Sequence, residues 1–160
     1  MAFEIIQGLN SYFTFRLDGQ LLAVNIGHIT KILELTEFTK VPNSPRYFKG
    51  IINLFGDVIP VLDGRLKFGF PEAGSTRDTC ILILVFEHGE QVVSSGIIVD
   101  SVEKVLTFEP EQIHPGTTVG NGFNAEFING ITSFNTELVV ILNLEKIFSK
   151  EEIKLVTTVD

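Results

Sequence analysis

Gly50-Ile51-Ile52-Asn53-Leu54-Phe55-Gly56-Asp57-Val58-Ile59-Pro60-Val61-Leu62-Asp63 is the stretch on which the fold turns, because the chain contains it twice. Without a gap it lies on Gly130-Ile131-Thr132-Ser133-Phe134-Asn135-Thr136-Glu137-Leu138-Val139-Val140-Ile141-Leu142-Asn143. Gly50 meets Gly130, Leu54 meets Phe134, Asp57 meets Glu137 and Leu62 meets Leu142; beyond the stretch, Phe68 meets Phe148. In each copy a Gly-Ile strand precedes a turn and a short, β-branched apolar run at 58–62 or 138–142, which length and branching assign to strand. Pro60 predicts an edge position or a bulge for its run, since proline gives a ladder no donor.

Working outward, residues 24–33 resemble residues 97–106, where Ile26, Ile29, Ile32 and Leu33 fall on Val99, Val102, Val105 and Leu106. Ahead of each lies a hairpin pattern. One spans 12–24 around Asp18-Gly19, a pair that tolerates the positive φ of a tight turn; the other spans 80–99 with His88-Gly89 at its tip. Each half therefore reads as five short strands in roughly 65 residues, the content of a small closed barrel. A unit that small buries little surface alone, so the two halves should share a core.

Helix signals are few. Short turns of helix fit 64–68 and 143–148, and Ser149-Lys150-Glu151-Glu152 has capping-box spacing for a terminal helix with Ile153 and Val156 on its apolar face. Residues 71–78 and 116–124 read as loops.

Composition agrees with a mainly β globular domain. The 160 residues are 44% hydrophobic and 20% charged, with 14 Phe, 14 Gly and no Trp. The longest aliphatic and aromatic run, 81–86, falls far short of the ~20 residues that span a bilayer. Residues 1–9 lack the basic-then-apolar pattern of a leader, so the expected location is the cytoplasm. A net charge of −8 repels phosphate backbones and anionic lipid, which argues against nucleic acid and membrane insertion. One cysteine, Cys80, cannot form an internal disulfide; it reads as a small buried hydrophobe.

Residues suited to chemistry do not assemble. His28, His88 and His114 are far apart with no ligand at metal spacing, so neither a metal nor another cofactor is expected. Residues 116–122 are glycine-rich but lack the Gly-Lys-Ser/Thr ending of a phosphate loop. Asp63, Asp100 and Asn143 sit at strand ends, where turns and helix starts claim them more readily than a substrate does.

Val41-Pro42-Asn43-Ser44-Pro45, then Phe48-Lys49-Gly50-Ile51-Ile52-Asn53-Leu54 and Val58-Ile59-Pro60-Val61-Leu62-Asp63, resemble the central signature of the CheW family, the coupling proteins of bacterial chemotaxis arrays. The likeness continues through Lys67-Phe68-Gly69, Ile98-Val99-Asp100-Ser101-Val102 and Asn143-Leu144-Glu145-Lys146-Ile147, and covers about residues 12–153. The resemblance implies two five-stranded SH3-like barrels packed together, and a non-enzymatic adaptor that bridges a CheA-type histidine kinase to the cytoplasmic tip of chemoreceptors. On that reading 12–70 with a C-terminal helix at 149–158 forms one barrel, and 78–148 the other. By the same analogy a groove between the barrels takes the receptor's helical hairpin, with Ile29, Ile32, Glu34, Gly50, Phe55 and Val99 as its candidate residues. Val102 and Val105 are the candidates for the kinase. Three departures stand out: Phe55 where the family has Arg, Gly64 where it has an aliphatic residue, and a stretch between Glu34 and Val41 about three residues short. The alternatives are a divergent coupling protein of a pilus, gliding or other non-flagellar system, and a small β-barrel ligand-binding module.

Overall fold

A computed structural model describes residues 10–115 and 127–148. The expected terminal helix and the whole of the 116–124 loop lie outside them. Ten strands run in chain order: β1 (Ser11–Leu17), β2 (Gln20–Asn25), β3 (Ile29–Glu34), β4 (Phe48–Leu54), β5 (Asp57–Asp63), β6 (Cys80–His88), β7 (Gln91–Val99), β8 (Ser101–Thr107), β9 (Ile128–Phe134) and β10 (Glu137–Leu142). Two single-turn helices follow the two apolar runs, α1 (Gly64–Lys67) and α2 (Leu144–Ile147). The Asp18-Gly19 hairpin forms as expected. In the second hairpin His88 pairs with Gln91, so the loop is Gly89 and Glu90, one residue later than expected, because Gly89 supplies the positive φ.

Ten strands in two halves match the repeat, but the halves do not form one barrel each. One sheet has the order β8-β1-β2-β10-β9, the other β3-β6-β7-β5-β4. Each sheet thus takes its opening hairpin from one repeat and its last three strands from the other, which cuts across the division at 12–70 and 78–148. The physical reason is the parallel step: β10 pairs with β2, and β5 pairs with β7, so each final strand crosses to the opposite half. Backbone bridges from Thr39 to Ile51 and from His114 to Ile131 join the segment after β3 to β4 and the segment after β8 to β9, closing both sheets into barrels.

Period-two alternation sorts the apolar side chains into three cores. Ile52, Ile59, Val61, Ile81 and Ile83 fill one barrel; Leu21, Ala23, Leu106, Phe108, Val139 and Ile141 fill the other. The alternate residues, including Phe15, Val24, Leu62, Leu82, Phe86, Ile97, Val99, Val140 and Leu142, make the core that both barrels share. Strands β2, β5, β6 and β10 bury both faces, which is why their sequences read as unbroken apolar runs.

Pro60 is on neither an edge strand nor a bulge, since β5 lies between β7 and β4. Both backbone groups of its partner Ile51 are used by Thr39, so the Pro60 nitrogen points away from β4, and pairing of β5 with β7 begins only at Val61. The missing donor costs no ladder bond.

Candidate protein-docking surface

Strands β3 and β8 occupy equivalent positions in the two barrels and present equivalent surfaces. Ile29 and Val102, their first matched pair, are half-buried against the shared core and mark the seam between barrels. Three residues on, Ile32 and Val105 are each 47% exposed. A bulge between Ile29 and Lys31 turns β3 so that Lys31, Ile32 and Glu34 all reach solvent. Ile32 and Glu34, two residues apart, share one face.

Phe55 lies at the tip of the β4–β5 hairpin and is 85% exposed. Leu54 pairs with Asp57, leaving a two-residue loop whose φ values are 53° at Phe55 and 91° at Gly56. Positive φ at both positions is the geometry matched to strand twist, and it suits Asn-Gly rather than a bulky ring. Its repeat counterpart, Asn135, has φ 51°. The Lys31 ammonium lies 4.2 Å from the centre of the Phe55 ring, which brings the hairpin tip beside β3. Sequence reading missed Lys31. The signal was present in the repeat: Lys104 matches Lys31, and its ammonium lies 4.9 Å from the ring of Phe134.

Two expected groove residues are placed elsewhere. Val99 is fully buried in the shared core, paired with Cys80 across β6 and β7, so it cannot line an open groove. Gly50 is buried as well. A Cβ there would come within 2.6 Å of the Thr39 carbonyl oxygen, and Gly50 has φ 149°. The barrel-closing bridge requires a glycine, and any effect on partners passes through the backbone. Ile29, Ile32, Glu34 and Phe55 remain accessible in part or in full. Exposed apolar residues that the sequence did not single out are Leu35, Val92 and Leu138.

Carboxylates at the strand ends have structural partners. Asp63 accepts a hydrogen bond from the Leu66 N–H at 3.1 Å, capping α1, and lies 3.8 Å from the Lys49 ammonium. Asp100 accepts two-pronged hydrogen bonds from Arg65, Nε to Oδ1 at 2.9 Å and Nη2 to Oδ2 at 2.7 Å. Burial pushes the Asp100 carboxyl up, but the Arg65 hydrogen bonds, the Asp18 N–H and the Arg65 charge outweigh it and hold the group below the usual carboxylate range. Arg16 donates to Glu103 at 2.6 Å and, two-pronged, to Glu137. Gly64 sits where a Cβ would meet the Ile98 carbonyl oxygen at 2.5 Å, so the departure there lets α1 lie close on β7.

A cleft of about 470 Å³ beside α1 is lined by Leu35, Phe38, Lys49, Asp63, Arg65 and Asp100, among others. Of its acids, Asp63 is engaged by the helix cap and Asp100 by Arg65, while Glu37 also lines the cleft. Burial raises the Cys80 thiol, which disfavours a reactive thiolate. Among the described residues no three His, Cys, Asp or Glu side chains are placed to hold a metal ion, and no helix is long and apolar enough to cross a membrane. What the surface offers is contact: apolar side chains at the outer faces of β3 and β8 and at the hairpin tip, with charged neighbours around them.

The CheW-like domain family matches residues 11–152. The chain belongs to that family. The CheW chemotaxis protein of Klebsiella aerogenes is 30% identical over 148 residues, 92% of this chain and 87% of that protein. The probable CheW of Rhizobium etli is 32% identical over 146 residues, with 91% and 92% covered. Protein PilI of Pseudomonas aeruginosa is 29% identical over 90 residues, 55% of this chain and 47% of that one. Among solved structures, the scaffolding protein TtCheW from Thermoanaerobacter tengcongensis superposes with a TM-score of 0.79 at 28% identity, covering 90% of both chains. CheW-like proteins are scaffolds or adaptors, and in general they couple CheA-type kinases with chemoreceptors. The two-barrel expectation and the chemotaxis resemblance both hold.

Proposed function

We propose that this chain is a non-enzymatic adaptor that docks the receptor's helical hairpin along the seam beside β3 and a CheA-type kinase's related domain on the barrel that carries β8. It works in the cytoplasm, next to membrane receptor arrays. The observation that carries the reading is the matched pair Ile32 and Val105: two aliphatic side chains, in equivalent strands of an exchanged repeat, each left half-exposed. An apolar strip beside charged groups suits an amphipathic helix or a second barrel end. Ile29 and Val102 extend the strip into the seam, and Glu34 and Lys31 supply its charged border. Phe55 supplies an aromatic anchor, the residue class that concentrates energy at protein contacts.

Retention in a pull-down with the cognate CheA-type kinase tests the reading, at a Kd on the order of 1 μM, or about −8 kcal/mol. Wild-type protein that is retained by neither the kinase nor a receptor-tip hairpin sinks it. A second reading, a coupling protein of a divergent or non-flagellar system, is favoured by Phe55. An uncharged ring cannot make the forked hydrogen bonds of the family's arginine. Under that reading typical receptors bind the Phe55→Arg variant better than the wild type, and the cognate receptor binds it worse.

A further inference from the structure

Residues of both barrels meet at one corner of the seam. Arg65, on α1 at the end of β5, belongs to the barrel of β3–β7. Asp18 is in the β1–β2 turn of the other barrel, and Asp100 sits on the crossover between β7 and β8 that leads from one to the other. Arg65 holds Asp100 through the two-pronged pair and reaches Asp18 Oδ1 at 3.3 Å, while the Asp18 N–H donates to Asp100 Oδ2 at 2.8 Å. The Asp100 N–H also donates to the Arg16 carbonyl of β1 at 3.0 Å. The Arg65 side chain is only 19% exposed. These five hydrogen bonds form one cluster that links Arg65, Asp100 and the β1–β2 hairpin across the seam.

The repeat has an equivalent corner, and among the described residues the same cluster does not form there. Gly27 takes the place of Asp100 and Glu145 that of Arg65. Glu145 is exposed and makes no ion pair among the described residues. Hydrophobic burial in the shared core holds the barrels together but is non-directional, and packed sheets can shear. A forked guanidinium–carboxylate pair has a fixed geometry.

We infer that Arg65, through Asp100 and Asp18, is a positioning residue that sets the angle between the two barrels, and with it the shape of the seam between Ile29 and Val102. This rests on the proposed docking of a helical hairpin at that seam, so the test reads orientation and binding separately. Residual dipolar couplings of backbone amides are measured on the full chain for wild type, Arg65→Met and Asp18→Asn, alongside titration with a receptor-tip helical hairpin. The expected result for Arg65→Met is that each barrel keeps its own internal couplings while the relative alignment of the two changes, and that hairpin affinity falls about tenfold. Asp18→Asn, which leaves the Arg65–Asp100 pair whole, should give a smaller change in both, and it decides the matter if Arg65→Met does not fold. Wild-type alignment and affinity in the variants overturn the inference. A wild-type chain that ignores the hairpin overturns the docking reading instead, and the couplings still decide whether Arg65 sets the angle.

Discussion

Gly50 and Gly130 stand eighty positions apart and do the same thing: each opens the space through which the closing segment of its barrel crosses the first Gly-Ile strand. At Gly50 the crossing neighbours are the Thr39 carbonyl and Phe38 Cβ, the latter 2.8 Å from where a Cβ would stand. At Gly130 the nearest neighbour is Ile113 Cγ2, and the His114 carbonyl oxygen is 3.2 Å away. Backbone cannot step aside, whereas a side-chain methyl can.

Gly50→Ala should therefore destabilise the protein by about 1–3 kcal/mol, the range for overpacking, and Gly130→Ala by less. Urea denaturation of both variants checks the order. Equal costs would mean that the Ile113 side chain is as rigid as the backbone.

Ile32 and Val99 were grouped together on sequence grounds, and the structure separates them. Ile32→Asp should leave stability within roughly 0.5 kcal/mol, as expected of an exposed site, while abolishing capture of the receptor hairpin. Val99→Asp places a charge in the shared core and should unfold the chain at ambient temperature. Circular dichroism with a binding assay distinguishes the two; loss of fold in Ile32→Asp would return that residue to the core.

Phe55 poses a conflict between stability and contact. A left-handed conformation costs a bulky residue about 1–2 kcal/mol, and an exposed cation–π contact with Lys31 recovers only about 0.5–1 kcal/mol. Phe55→Asn creates the favoured Asn-Gly turn, so it should raise stability by roughly 0.5–1 kcal/mol while weakening partner binding. A variant that is both more stable and fully competent would remove Phe55 from the docking surface.

Asp100 and Glu137 make stability depend on acid pH. For Glu137 the Arg16 hydrogen bonds outweigh the small effect of burial and hold the group low; Asp100 is held low against its own burial. A carboxylate whose folded value lies below its unfolded one adds stability that is complete above the unfolded value, near 4, and is lost as pH falls through the folded value. Unfolding free energy should be level from neutral pH to about 5 and fall below about 4. Replacing Arg65 with Met should flatten that fall, measured by urea titrations at pH 7 and pH 3; an unchanged slope would show that other carboxylates control it.

The site was legible only where the repeat spoke. Phe55, named as a candidate contact residue, lies at an exposed hairpin tip, as does its polar repeat counterpart Asn135. Simple alternation breaks at the bulge after Ile29, so Lys31 was overlooked although the repeat matches it with Lys104. Val99 was misplaced because an apolar residue on a strand with two buried faces looks the same whichever layer it enters.

Local pattern was enough to mark ten strands, one tight turn with positive φ and a second to within one residue, two single-turn helices and the duplication, because alternation and turn chemistry act over a few residues. Which strands pair did not follow from it. The parallel steps from β2 to β10 and from β7 to β5 join residues far apart in the chain, and they exist because each final strand finds its apolar partners in the other half. That exchange decides which barrel each strand enters, buries Val99 and brings Arg65 to Asp18, and closure of the barrel sets Lys31 beside Phe55.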